Sequence, residues 1–442
     1  MPFLLTLAYL FLTLVPPAEI HPSLAKANLM DVLGVAAIGG GLLGVLISRK
    51  RREVPAQLLL VVGLLLWAAL SVVLTLRWFG GAFFTLQSLT VNFGLFWLLA
   101  LTVDNLRRLA LVRGVLLATL AVLVVMGILD LRTGAFDGRF VMLQGRDAAS
   151  EETPAEDETL AQEPGQRLQG RRLMALGYLA DPNQFAQILV AVLPLFLVGW
   201  RSSRLIGNLF VVILPAALFV YGIVLTGSRG GLVALGALVA AAALLQRRRW
   251  LSRATAAAVL AAVPLALLVA RRTAQQDDSA AGRMEAWSYG LQLLKGSPVW
   301  GAGFGSFIES HDLTAHNSFV LCFAELGLVG YFLWLSIFVV CFIQLSQVAR
   351  WSPDNTQGWH VRRWAAAARL SMVAFLTAGF FLSRTFSVML FLLVGIATAV
   401  VTVAKESGCE IEALRPRRVS LRTAGIEIFS IVAIYLSMRF VR

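Results

Sequence analysis

Apolar residues come in runs of about 18 to 25, separated by short polar or basic stretches; a helix of that length crosses a hydrocarbon core of roughly 30 Å. The runs lie at 3–19, 29–48, 55–76, 82–103, 109–131, 183–200, 205–226, 229–246, 253–270, 317–347, 364–382 and 386–404. None alternates apolar and polar positions with a period of two, so the spans read as helices rather than barrel strands. The pattern predicts an all-α fold, a polytopic membrane helix bundle of about 12 spans. A further run from Ile426 to Met438 is short and contains Glu427, and a thirteenth span and an interfacial helix are both open readings of it.

Composition places the chain outside the soluble globular class: 58% of residues are hydrophobic, 14% are charged and the mean hydropathy is +0.77. A net charge of +13 raises nucleic acid as a partner, but the basic residues sit in short loops that alternate along the chain, which is the positive-inside pattern. Arg49 to Arg52, Arg107 with Arg108, Arg201 with Arg204, Arg247 to Arg249, Arg362 with Arg363, and Arg415, Arg417 and Arg418 mark a cytoplasmic face in contact with membrane lipids. The amino terminus is then cytoplasmic, and the external segments are 133–180, the turn at Gly227 to Gly230, 271–316 and the turn at Ser383 to Thr385. The first apolar run lacks a basic leader and runs into Pro16 and Pro17, so it reads as a retained span. Cys322 and Cys341 share one run and Cys409 falls in the cytoplasmic tail, a distribution that suggests no disulfide or metal framework.

Four regions follow: amino-terminal transmembrane helices (1–131); an external loop (132–182) whose acidic stretch from Glu151 to Glu163 is expected to be a disordered insertion; a transmembrane core (183–404) with a large external loop at 271–316; and a cytoplasmic segment (405–442) that includes the undecided short run. The candidate chemistry faces outward. The loop at 271–316 gathers Arg271, Arg272, Asp277, Asp278, Arg283, Glu285, Lys295, Glu309, His311, Asp312 and His316. It is predicted to form an amphipathic helix beginning near Arg283, followed by a glycine-rich return. Gly301, Gly303 and Gly305 follow no buried strand and open no helix with a P-loop lysine, so they read as a tight backbone turn. Arg229 lies between two apolar spans, where a cation is costly unless paired, and its guanidinium fork suits a diphosphate. Arg384, in another outward turn, either joins the same anion site or snorkels to the interface. Glu325 lies inside a span, where acidic residues are functional candidates or are held by a local contact. Asp181-Pro182-Asn183 reads as a helix cap. His316-Asn317 stands where the loop enters a span; it reads either as a cap or as a titratable group placed to serve a polar acceptor.

The stretch HNSFVLCFAELGLVG, in which His316-Asn317 is followed by Gly327 and Gly330, resembles the signature of the O-antigen ligase and polymerase superfamily. These are membrane glycosyltransferases that take glycan from a polyprenyl diphosphate carrier. Arg283 and Trp287 match the arginine and tryptophan of that superfamily's external loop, Ser228-Arg229-Gly230 its Ser-Arg-Gly turn, and Asp181-Pro182-Asn183 a similar tripeptide. The resemblance covers about 180–345; the earlier spans match in hydropathy and number alone.

The resemblance implies an architecture of the GT-C glycosyltransferase type in a bacterial inner membrane, with its active site on the periplasmic face. It implies an undecaprenyl diphosphate-linked glycan as donor, and lipid A core or a second lipid-linked glycan as acceptor, the choice that separates ligase from polymerase. It gives His316 as the catalytic base or orienting group and Arg229 and Arg283 as the diphosphate ligands, with Asn317, Glu325, Arg384 and Trp287 in support. No cofactor is implied. Two arginines would neutralise the diphosphate without a metal, and direct displacement would invert the anomeric carbon. A different class, a polytopic transporter or lipid-linked glycan flippase, predicts mid-membrane charges and two repeated halves, whereas here the charges concentrate in outer loops.

Overall fold

The computed structural model of the chain describes residues 2–20, 29–47, 53–143, 170–244, 278–310 and 314–441. The expected span at 253–270, the basic clusters at 49–52 and 247–249, the acidic insertion, and Arg271, Arg272, Asp277, His311 and Asp312 lie outside the described residues. The helices of five or more residues are α1 (Pro2–Leu14), α2 (Leu29–Ile47), α3 (Ala56–Leu76), α4 (Phe79–Thr102), α5 (Leu106–Thr133), α6 (Pro182–Val198), α7 (Leu205–Leu225), α8 (Arg229–Leu244), α9 (Asp278–Gly296), α10 (Ser306–Ser310), α11 (Ser318–Arg350), α12 (Thr356–Gly379), α13 (Val388–Glu406) and α14 (Pro416–Val441).

Seven of these, α3, α4, α5, α7, α11, α13 and α14, are long and apolar enough to cross a membrane, and α1, α2, α6 and α8 are shorter apolar helices. The chain is a multi-pass membrane protein with an all-α bundle. The predicted span at 364–382 coincides with the second half of α12 and the three residues after it; α12 carries Arg362, Arg363 and Arg369 and is not among the seven. Its alanine run at 365–368 lets it pack closely against α6, and it also contacts α8, α11 and α13. The undecided run at 426–438 is the second half of a continuous helix that Pro416 opens, a position where the missing N–H costs nothing.

Burial follows the apolar pattern of each helix. α13 is apolar on every face (VMLFLLVGIATAVV) and lies in the middle of the bundle, whereas α14 is apolar along part of its surface and lies on the outside of α11. Within α7 a π-turn at Leu209–Ile213 precedes Pro215, whose ring has no N–H for the regular ladder. At the end of α5 the buried Asp130 carboxylate accepts N–H groups from Phe136, Gly138 and Phe140 at 2.9, 3.2 and 2.9 Å. That anchored turn leads into a two-stranded antiparallel ribbon, β1 (Val141–Leu143) and β2 (Arg171–Leu173), in which Met142 faces Arg172. Strands of three residues are too short to show alternation in sequence, so the ribbon was not predicted.

Candidate functional site

The turn between α7 and α8 is built to bring backbone close to its neighbours. Gly227 takes a left-handed φ of 62°, and the buried Ser228 caps α8 by accepting the Gly231 N–H at 3.1 Å. A Cβ on Gly231 would lie 2.7 Å from Ala186 Cβ in α6, and one on Gly230 would lie 2.7 Å from Phe381 Cβ. Only glycines let the turn wedge between those two segments. Arg229 is thereby fixed as the first residue of α8, where a cation meets the positive end of the helix dipole. That placement costs stability and favours an anion.

Against this turn lies Arg172 of β2, a residue not singled out from the sequence. Its Nε donates to the Thr226 carbonyl at 2.8 Å and its Nη2 to Asn183 Oδ1 at 3.0 Å. Burial holds the guanidinium below its ordinary pKa; Asp181 opposes that effect and the like charge of Arg229 adds to it. Asp181 is the cap that the sequence predicts: its Oδ1 accepts from Asn183 N at 2.6 Å and Gln184 N at 3.0 Å, with Pro182 opening α6. Oriented by its hydrogen-bond network, the Gln184 amide donates to the Tyr178 carbonyl and accepts from Arg384, whose Nε lies at 2.9 Å. Burial also lowers the Arg384 guanidinium, again opposed by Asp181. Arg384 is thus held against the amino-terminal turn of α6. Three arginines from three separate segments thus surround the amino terminus of α6.

His316 stands beside them with a left-handed φ of 47°, a region open to few residues other than glycine. Its neighbours are clamped on both sides. Trp287 Nε1 donates to the Ala315 carbonyl at 2.9 Å. Asn317 caps α11, its Oδ1 accepting from Phe319 N at 2.9 Å and Val320 N at 3.2 Å. Ser318 Oγ donates to the Leu382 carbonyl at 2.5 Å and accepts from Arg384 N at 2.9 Å, while Thr385 Oγ1 donates to the Ser318 carbonyl at 2.9 Å. The peptide that carries His316 is therefore stapled to the turn that carries Arg384. Arg283 lies one helical turn before Trp287 on α9, on the same face. That helix begins at Asp278, five residues before the predicted start near Arg283. Around this junction Tyr178 Oη, Thr314 Oγ1, Asn317 Nδ2 and Ser383 Oγ are buried polar atoms with no hydrogen-bond partner among the described residues, an uncommon concentration.

Gly327 and the glycine-rich return explain each other. Gly327 (φ 64°, ψ −169°) interrupts α11, and the turn at 298–303 enters the break. Ala302 N donates to the Ala324 carbonyl at 2.8 Å, Gly303 N to the Glu325 carbonyl at 2.9 Å, Leu328 N to the Pro298 carbonyl at 2.8 Å, and Trp67 Nε1 to the Leu326 carbonyl at 2.9 Å. The groups freed by the break are thus satisfied, as membrane burial demands. A Cβ on Gly301 would collide with the Glu325 backbone, and one on Gly327 with Val299. Gly301, Gly303 and Gly305 all have positive φ, in keeping with the expected backbone turn. Glu325 belongs to this junction, where its Oε1 accepts from Phe307 N at 3.3 Å.

Arg172, Gln184, Ser318 and Thr385 went unread in the sequence. The signal for Arg172 was available: it ends a basic pair nine residues before Asp181 of the Asp-Pro-Asn cap, in a segment expected to share a face with Arg229. No curated protein matches the chain. The family model described as O-antigen ligase matches residues 214–335, a stretch that includes the Arg229 turn, Arg283, Trp287, the glycine return, His316 and the broken helix. Over this segment, a little over a quarter of its length, the chain is similar to the O-antigen ligase family.

Proposed function

We propose that the protein is a membrane glycosyltransferase that moves a glycan from undecaprenyl diphosphate to a sugar hydroxyl, as an O-antigen ligase or polysaccharide-repeat polymerase. The observation that carries this reading is the meeting of Arg172, Arg229 and Arg384 at the amino terminus of α6, with the His316 peptide fastened to the Arg384 turn. Asp181 is the carboxylate that both Arg172 and Arg384 feel, so these groups together carry an excess of positive charge suited to a diphosphate.

In this reading Arg229 and Arg283 hold the diphosphate, and Arg172 and Arg384 set the field around it. His316 takes the proton from the acceptor hydroxyl. The hydroxyl oxygen forms a bond to the anomeric carbon as the bond from that carbon to the phosphate oxygen breaks. Undecaprenyl diphosphate leaves with the electron pair, stabilised by the arginines. A single displacement inverts the anomeric centre, and no step requires a metal. The amino acids that face the donor would lie on the periplasmic side of an inner membrane.

The purified protein should transfer glycan from the lipid diphosphate to lipid A core or to a second lipid-linked repeat, and a deletion strain should accumulate carrier-linked repeats. A vesicle assay in which the lipid-linked glycan crosses the bilayer, with no transfer to any acceptor, would instead favour the flippase.

A further inference from the structure

The other end of α6 holds a second basic site. A cavity of about 510 Å³ is lined by Arg107, Arg113, Arg201, Arg204, His360 and Trp364, with no carboxylate lining it among the described residues. Arg107 and Arg113 come from α5, Arg201 and Arg204 from the loop after α6, and His360 and Trp364 from α12. The loop has a built shape: buried Asn208 closes it by accepting from Arg201 N at 2.8 Å and donating to the Arg201 carbonyl at 2.7 Å. Arg363 fixes the adjacent wall by donating to the Trp200 carbonyl at 2.7 Å. A Cβ on Gly199 would lie 3.1 Å from Arg113 Nη1, so the glycine leaves room for that guanidinium. Asp104, the nearby acid on the chain, is engaged by Arg108 at 2.8 Å.

Two features point to the kind of anion. Four arginines and a histidine without a lining acid suit a phosphate. The cavity also opens beside the outer surface of α7, where Leu205, Ile206, Phe210 and Val211 are 73%, 77%, 62% and 58% exposed. In a membrane protein such a surface faces acyl chains. We propose that this cavity binds the phosphate of an anionic phospholipid headgroup, with the acyl chains along Ile206 and Phe210. The site is separate from the glycan-transfer end and does not depend on that assignment. Free inorganic phosphate offers the same charge but has no use for the apolar surface.

The full-length protein in detergent would be titrated with phosphatidylglycerol, phosphatidylcholine or inorganic phosphate, and retained lipid counted by native mass spectrometry. Phosphatidylglycerol should be retained in preference to phosphatidylcholine, and equimolar inorganic phosphate should not displace it. Removing both exposed loop charges, Arg201→Gln with Arg204→Gln, should weaken phosphatidylglycerol binding by about fivefold per arginine. The same charge removed elsewhere, at the exposed Arg132→Gln with Arg139→Gln, should leave it unchanged. Equal retention of the two lipids, an unaffected loop variant or an equal loss in the control variant would each overturn the site, and displacement by inorganic phosphate would overturn the lipid.

Discussion

The two ends of α6 both gather arginines, yet they hold them in different ways. At the amino-terminal end, Arg172 is bonded to Asn183 and the Thr226 carbonyl, and Arg384 to Gln184, so the guanidinium groups are aimed by their partners. At the carboxy-terminal end, Arg107, Arg201 and Arg204 are exposed and line an open cavity. The first arrangement fixes direction, which a reaction with a charged leaving group needs; the second supplies charge, which attraction to a headgroup needs. The contrast predicts that substitutions which keep charge but lose the guanidinium fork will be felt at one end and tolerated at the other.

The largest effect should come from His316, the group proposed to act on the acceptor. His316→Ala should slow transfer by about 10²- to 10⁴-fold while donor binding survives, as measured by single-turnover transfer beside equilibrium binding of the lipid diphosphate. Transfer at the normal rate would return the histidine to a loop position before a helix cap. Arg172→Lys and Arg229→Lys should each lower transfer by about 10²- to 10³-fold despite keeping charge, because one ammonium cannot replace the fork. Normal rates in both would reduce the site end to simple charge, like its counterpart.

How much of this was legible depended on the range of the contact. The Asp181 and Asn317 caps join residues two or three apart, and both could be read from sequence. Arg229 could be read because a cation between two apolar runs is conspicuous. Ser318 could not, since its bond to Leu382 spans 64 residues of chain. The Gly327 position was visible as part of a motif, but its purpose depends on a segment some 25 residues earlier that fills the break. Among the described residues the helices follow the apolar runs in order, and α12 is the one in which arginines interrupt the run.

The junction at Gly327 offers a smaller and purely structural test. Gly301→Ala forces a side chain into a left-handed position against the Glu325 backbone, so it should destabilise the protein by about 1–3 kcal/mol, seen as a lower thermal midpoint in detergent. An unchanged midpoint would mean that the return does not brace the broken helix. The smallest effect belongs to the far end: Arg201→Lys with Arg204→Lys should change stability by less than about 0.5 kcal/mol and leave glycan transfer untouched. A large loss of transfer there would erase the distinction between the two ends.

The most direct measurement is a structure of the protein with an undecaprenyl diphosphate-linked glycan bound. The account predicts both phosphates beside Arg229 and Arg283, at the amino-terminal end of α6, with the His316 imidazole on the sugar side. Phosphates seated among Arg107, Arg201 and Arg204, or His316 across the bundle from the donor, would contradict it.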